Sequence, residues 1–138
     1  MASIHQEVSI AASPEQVWDA MRDVGALHTR LALGFVTDCR MATDERADPA
    51  VPARIVTFAN GMVVRELIVD VDDAQRRVAW SAVGGRLTHH NASSQVFAEG
   101  TGSRVVWIAD LLPNELAPAV AGMIEQGLRA MKKTLESS

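Results

Sequence analysis

One long amphipathic helix ends a chain whose middle shows no other sustained helical periodicity, and this pairing narrows the possible folds more than any other feature. Between Asn114 and Glu136, the residues Val120, Met123, Ile124, Gly127, Leu128, Met131 and Leu135 recur at the three- and four-residue spacing that lines one helix face. The roughly eighty residues before it read as strands and turns. A helix with an apolar stripe and a sheet with one apolar face bury both surfaces when one is laid across the other. Gly122 and Gly127 stand inside this helix, where Gly costs about 1 kcal/mol relative to Ala. The expectation is that they leave empty room beside a curved sheet.

The elements before the helix follow from their punctuation. Ser3 to Ala11 alternates as a first strand. Ser13, Pro14 and Gln16 then start a helix reaching Asp23, with Ser13 as cap, Pro14 in the first position and Gln16 completing a capping box. Ala26 to Leu33 is a candidate second short helix, Gly34 to Met41 a strand, and Ala42 to Pro52 a long polar loop. Arg54 to Ala59 and Met62 to Val71 flank Asn60-Gly61, the dipeptide that favours a two-residue hairpin turn. Arg76 to Val83 is followed by Gly84-Gly85, and Thr88 to Glu99 and Ser103 to Leu112 flank Gly100-Thr101-Gly102. Pro113 stops the last strand, and Pro118 fits the first turn of the final helix. The expected fold is α+β, a curved antiparallel sheet of about seven strands around the C-terminal helix, with one or two short helices after the first strand. Residues 1–138 are expected to form a single domain.

Composition excludes several functions. A net charge of −4 argues against a general binder of phosphate backbones, so no nucleic-acid partner is expected. No apolar run is long enough to cross a bilayer, and Met1 to Ile10 lacks the pattern of a secretion signal. Cys39 is the only cysteine, which precludes an internal disulfide and fits a cytoplasmic location. Flanked by Asp38 and Arg40, it reads as inert.

Three segments carry a family resemblance. They are Ile10-Ala11-Ala12-Ser13-Pro14-Glu15-Gln16-Val17-Trp18, Gly61-Met62-Val63-Val64-Arg65-Glu66 with the later Arg77-Val78-Ala79-Trp80, and Gly102-Ser103-Arg104-Val105-Val106-Trp107 ending in Leu112-Pro113. In this order they resemble the START-like, or SRPBCC, superfamily, and within it the bacterial polyketide cyclase/dehydratase-like branch. The resemblance implies a helix-grip fold and a START-like ligand-binding domain for lipids, polyketides or other aromatic metabolites. Many relatives carry a Trp and a Pro near the pocket mouth where this chain has Leu31-Ala32-Leu33-Gly34, which implies a differently shaped entrance. The chain has no Tyr, so no reaction here uses a tyrosine hydroxyl as acid.

Strand alternation selects the candidate site. Val78, Trp80 and Ala82 share one face, as do Val105, Trp107, Ala109 and Leu111, and as do His90, Ala92, Ser94 and Val96. If the apolar members point inward, His90 and Ser94 are polar groups inside an apolar enclosure, the pattern of a small-molecule site. His89 and His90 point to opposite faces and no carboxylate stands at a ligand spacing, so no metal and no cofactor is expected. His90 reads either as a hydrogen-bonding group or general base in the pocket, or as a structural histidine. Of Arg65 and Glu66, one points inward, where it would fix a polar group or accept a proton, and the other makes a surface ion pair. Trp80, Trp107, Met123, Gly127 and Met131 complete the expected ligand-binding set. Val106 and Ile108 make the other face of their strand apolar too, implying cover by a homodimer partner or by a folded-over loop.

Three functions follow as expectations: binding of a small hydrophobic or amphipathic molecule, a cyclase/dehydratase-type enzyme using His90, Glu66 or Arg65 for proton transfer, or an interaction module with a collapsed cavity.

Overall fold

The structure, a computed structural model, describes residues 1–138. Seven strands form one antiparallel sheet: β1 (Ala2–Ile10), β2 (Val36–Met41), β3 (Ala53–Phe58), β4 (Val63–Asp72), β5 (Arg77–Val83), β6 (His89–Glu99) and β7 (Gly102–Leu112). Their spatial order is β1-β7-β6-β5-β4-β3-β2, so only β1 leaves chain order and joins the far edge beside β7. Helix α1 (Pro14–Met21) and a π-helical turn (Leu27–Leu31) follow β1. A 3₁₀ turn (Asn114–Leu116) leads into α2 (Ala117–Glu136). The expected helix-grip architecture is therefore present, with the second short helix realised as the π-helical turn.

Local chemistry accounts for the short elements. Ser13 Oγ accepts the Gln16 N–H at 3.2 Å and caps α1, while Pro14 occupies its start. Val17, Trp18 and Met21 turn into the core, and the Trp18 indole N–H reaches Asp73 in the β4–β5 turn at 2.9 Å. Leu27 and Leu31 close the core from the π-helical turn.

The sheet bends where its register slips. One extra residue, Thr37, lies between Val36 and Asp38 on β2, and another, Val69, between Ile68 and Asp70 on β4. Such bulges curve a strand and increase its twist. The β3–β4 connection also departs from the two-residue turn that Asn60-Gly61 suggests. Thr57 pairs with Val63, the Phe58 N–H donates to the Met62 carbonyl, and Gly61 takes a left-handed φ of +89°. The longer loop moves the register by one residue, which places Arg54 opposite Glu66 rather than opposite Leu67.

Helix α2 is fastened to one side of the concave face. Gln6 Nε2 donates to the Ala121 carbonyl at 3.0 Å, Lys132 Nζ to the Ser9 carbonyl at 3.0 Å, and the Ala11 N–H to Glu136 at 2.8 Å. The Leu33 N–H donates to Thr134 Oγ1 at 3.1 Å. Helix α2 thus packs along β1 and the π-helical turn.

The expectation that the helix glycines leave empty room is corrected. A Cβ on Gly127 would lie 2.8 Å from the Trp107 ring and 3.2 Å from the Phe35 ring. Two aromatic edges already fill that notch, so Gly127 permits close packing. Gly122 has nothing within 4 Å of a built Cβ, but it does not border the cavity described below. On the outer face, Val106 lies in register between Glu7 and Gln95 and is buried without a partner or a loop, whereas Ile108 on the same face is 37% exposed.

Candidate functional site

Between α2 and the concave faces of β3 to β6 the molecule encloses a cavity of about 550 Å³. Twenty-three of its 31 lining residues are hydrophobic, which makes the few polar ones informative. Met62 of the β3–β4 turn, Val63 at the start of β4, Gly84 and Arg86 of the β5–β6 loop, and Ala119 of α2 border it and are themselves exposed, which locates the mouth. Of the Leu31-Ala32-Leu33-Gly34 segment, Leu31 and Ala32 are buried in the cavity wall, whereas Leu33 and Gly34 are exposed and do not border the cavity.

The polar residues stand mainly in one row across the sheet. Arg54 on β3 pairs in register with Glu66 on β4, and Glu66 with Ala82 on β5. Arg54 and Glu66 are 3% and 7% exposed, and Arg54 Nε donates to Glu66 Oε1 at 2.8 Å. Arg54 Nη1 also donates to the Val24 carbonyl at 3.3 Å, and its guanidinium lies 5.4 Å from the Trp80 ring centroid. A charge this deeply buried is tolerable only when paired and hydrogen-bonded, and these contacts supply both conditions.

His90 completes the row. The β5–β6 ladder ends at Trp80 and Ala92, which frees the Ala82 N–H from backbone pairing. His90 Nδ1 accepts that N–H at 2.9 Å, and the Ser81 hydroxyl donates to the His90 carbonyl. An imidazole nitrogen that accepts a hydrogen bond carries no proton, so the neutral ring holds its proton on Nε2, which has no protein partner. Burial, assisted by the neighbouring His89, pushes the His90 pKa below its ordinary value and favours this neutral form.

The remaining expected residues divide clearly. Ser94 is 1% exposed in the cavity lining, and its hydroxyl finds no partner. Trp80 and Trp107 meet edge to face at 5.5 Å and 67° and both border the cavity, as do Met123, Gly127 and Met131. Of the Arg65–Glu66 pair, Glu66 points inward. Arg65 is removed from the candidates, because it turns outward and holds Asp44 at 3.0 Å. That bond lowers the Asp44 pKa. Arg54, absent from the sequence-based set, takes the inward cationic position. Burial raises the pKa of the Cys39 thiol, consistent with an inert residue. No three His, Cys, Asp or Glu side chains cluster as a metal would require.

The model of a family described as "Polyketide cyclase / dehydrase and lipid transport" matches residues 1–136. The chain belongs to this family. Solved structures agree with that placement at the level of fold. An uncharacterised Bacillus thuringiensis protein superposes with a TM-score of 0.81 at 21% identity, covering 97% of this chain and 98% of its own. XoxI from Bacillus cereus gives 0.78 at 22% identity, covering 98% and 96%. Ara h 8.0201 gives 0.75 at 16% identity, covering 99% of both chains. No curated protein matches this chain. The cyclase/dehydrase and lipid-transport family and its SRPBCC fold are consistent with ligand binding. No helix is long and apolar enough to cross a membrane.

Proposed function

We propose that the protein binds one small hydrophobic or amphipathic molecule between α2 and the sheet. The observation that carries this reading is the cavity of about 550 Å³. It falls inside the ~300–1,000 Å³ range of small-molecule sites and combines an apolar wall with a few convergent polar groups. A closely packed interaction module would not keep such a space, since protein interiors leave few voids larger than a water molecule.

Binding is better supported than proton transfer. The free nitrogen of His90 already carries a proton, so it suits hydrogen-bond donation rather than base catalysis. Glu66 is engaged by Arg54. The family description spans cyclases, dehydrases and lipid transport, so membership alone selects no activity.

Native mass spectrometry of protein purified from its own cells tests the reading, followed by titration of the stripped protein with an environment-sensitive apolar fluorophore. The expected result is a co-purified small-molecule mass, or saturable uptake of one fluorophore per chain. A bare chain that takes up no apolar probe overturns the proposal.

A further inference from the structure

The buried polar groups facing the cavity share a property that limits what can enter: none offers an unpaired positive charge. Arg54 is the deep cation, and Glu66 neutralises it at 2.8 Å. Arg86 stands at the mouth with a side chain 74% exposed, beside Glu115 at 3.8 Å. His90 presents a neutral N–H, because its other nitrogen is occupied by the Ala82 amide. Ser94, on the same face of β6 and about 13 Å further along at ~3.3 Å per residue, offers a neutral hydroxyl with no partner. The cavity therefore holds two unpartnered neutral groups, one of them a fixed donor, and an ion pair that is already closed.

From this geometry we infer that the site selects uncharged oxygenated molecules, an apolar skeleton carrying a ketone or hydroxyl oxygen that accepts the His90 Nε2–H, and discriminates against free carboxylic acids of the same skeleton. The inference rests on the ligand-binding reading above. A carboxylate brought inside would lose its water without gaining a free cation. A ketone or hydroxyl oxygen satisfies His90 at little desolvation cost. Ala82, the small residue beside His90 in the row, leaves space over the floor of the sheet for such a group.

The test uses four anthracene probes that share one skeleton: the parent hydrocarbon, a methyl ketone, a primary alcohol and a carboxylate. Their binding to the full chain at neutral pH is read by quenching of tryptophan emission, with Trp80 and Trp107 in the cavity wall. The ketone and alcohol are expected to bind at least about tenfold more tightly than the carboxylate. In His90→Leu the ketone is expected to lose about tenfold while the hydrocarbon is unchanged, which also shows that the variant keeps its cavity. Carboxylate binding equal to or tighter than that of the ketone overturns the inference and leaves ligand binding intact. An unchanged ketone affinity in a variant that still binds the hydrocarbon also overturns it. If the variant loses the hydrocarbon as well, the wild-type ranking of ketone, alcohol and carboxylate decides alone. Failure of all four probes, hydrocarbon included, removes the binding reading itself.

Discussion

The concave face of this sheet has two halves built to different ends. On the β1 side, α2 is hydrogen-bonded to Gln6, Ser9 and Ala11, while at the edge of the cavity the rings of Trp107 and Phe35 fill the notch at Gly127. On the β3–β5 side the sheet curves away, leaving a cavity with a buried ion pair at its floor. The first half holds the helix in place with conventional packing. The second half keeps polar groups that packing alone would not select, because a buried ion pair is seldom more stable than apolar residues of the same volume. The hydrogen bonds that hold the helix are thus concentrated on one side, and the groups of the proposed binding site on the other.

The largest test of that division falls on the open side. Arg54→Met leaves Glu66 buried without its partner and is expected to destabilise the protein by about 3–5 kcal/mol in urea unfolding. Arg54→Met combined with Glu66→Leu is expected to recover most of that loss. If the double variant were as unstable as the single one, the pair would be a structural necessity and the contrast between the halves would fail.

The filled notch at the cavity's edge gives the next largest effect. Gly127→Leu forces a side chain against the Trp107 ring and is expected to cost about 1–3 kcal/mol, a typical overpacking penalty. Unchanged stability would mean that the notch is loose. Gly122→Ala meets nothing within 4 Å and is expected to stabilise the helix by about 1 kcal/mol or less, without altering probe affinity.

These substitutions also show what the sequence made legible. The element order was readable because its signals are local: the Ser13 cap, the Gly100-Thr101-Gly102 turn, and the three-and-four spacing of α2. The inward faces of β5, β6 and β7 followed from simple alternation, and His90, Ser94, Trp80 and Trp107 on those faces border the cavity. Arg54 was missed because its partner depends on loop length. A two-residue turn at Asn60-Gly61 pairs it with Leu67, whereas the longer loop pairs it with Glu66. A charged residue opening a strand with no other charge was the available signal. Gly127 was misread because its neighbours, Trp107 and Phe35, come from distant segments. The donor role of His90 was invisible for a similar reason, since it depends on a β5–β6 ladder that ends before Ala82.

The smallest expected effect is in pH. Burial lowers the folded-state pKa of His90 below its ordinary 6.5. The unfolded chain therefore takes up this proton first, and His90 contributes a loss of stability as pH falls below about 6.5, levelling off below its folded pKa. Urea unfolding at stepped pH should show that decline, and His90→Gln should flatten it. An identical pH profile in the variant would mean that the imidazole is not held neutral.

The most direct test of a packed half beside a receptive half is methyl NMR during titration with the anthracene methyl ketone. Val56, Val78, Val120 and Ile124, which border the cavity, are expected to shift together and saturate. Ile10, Val17 and Leu135, buried away from it, should hold still. Shifts confined to Val106 and Ile108 on the outer sheet face, or shifts centred on Ile10, Val17 and Leu135, would contradict it.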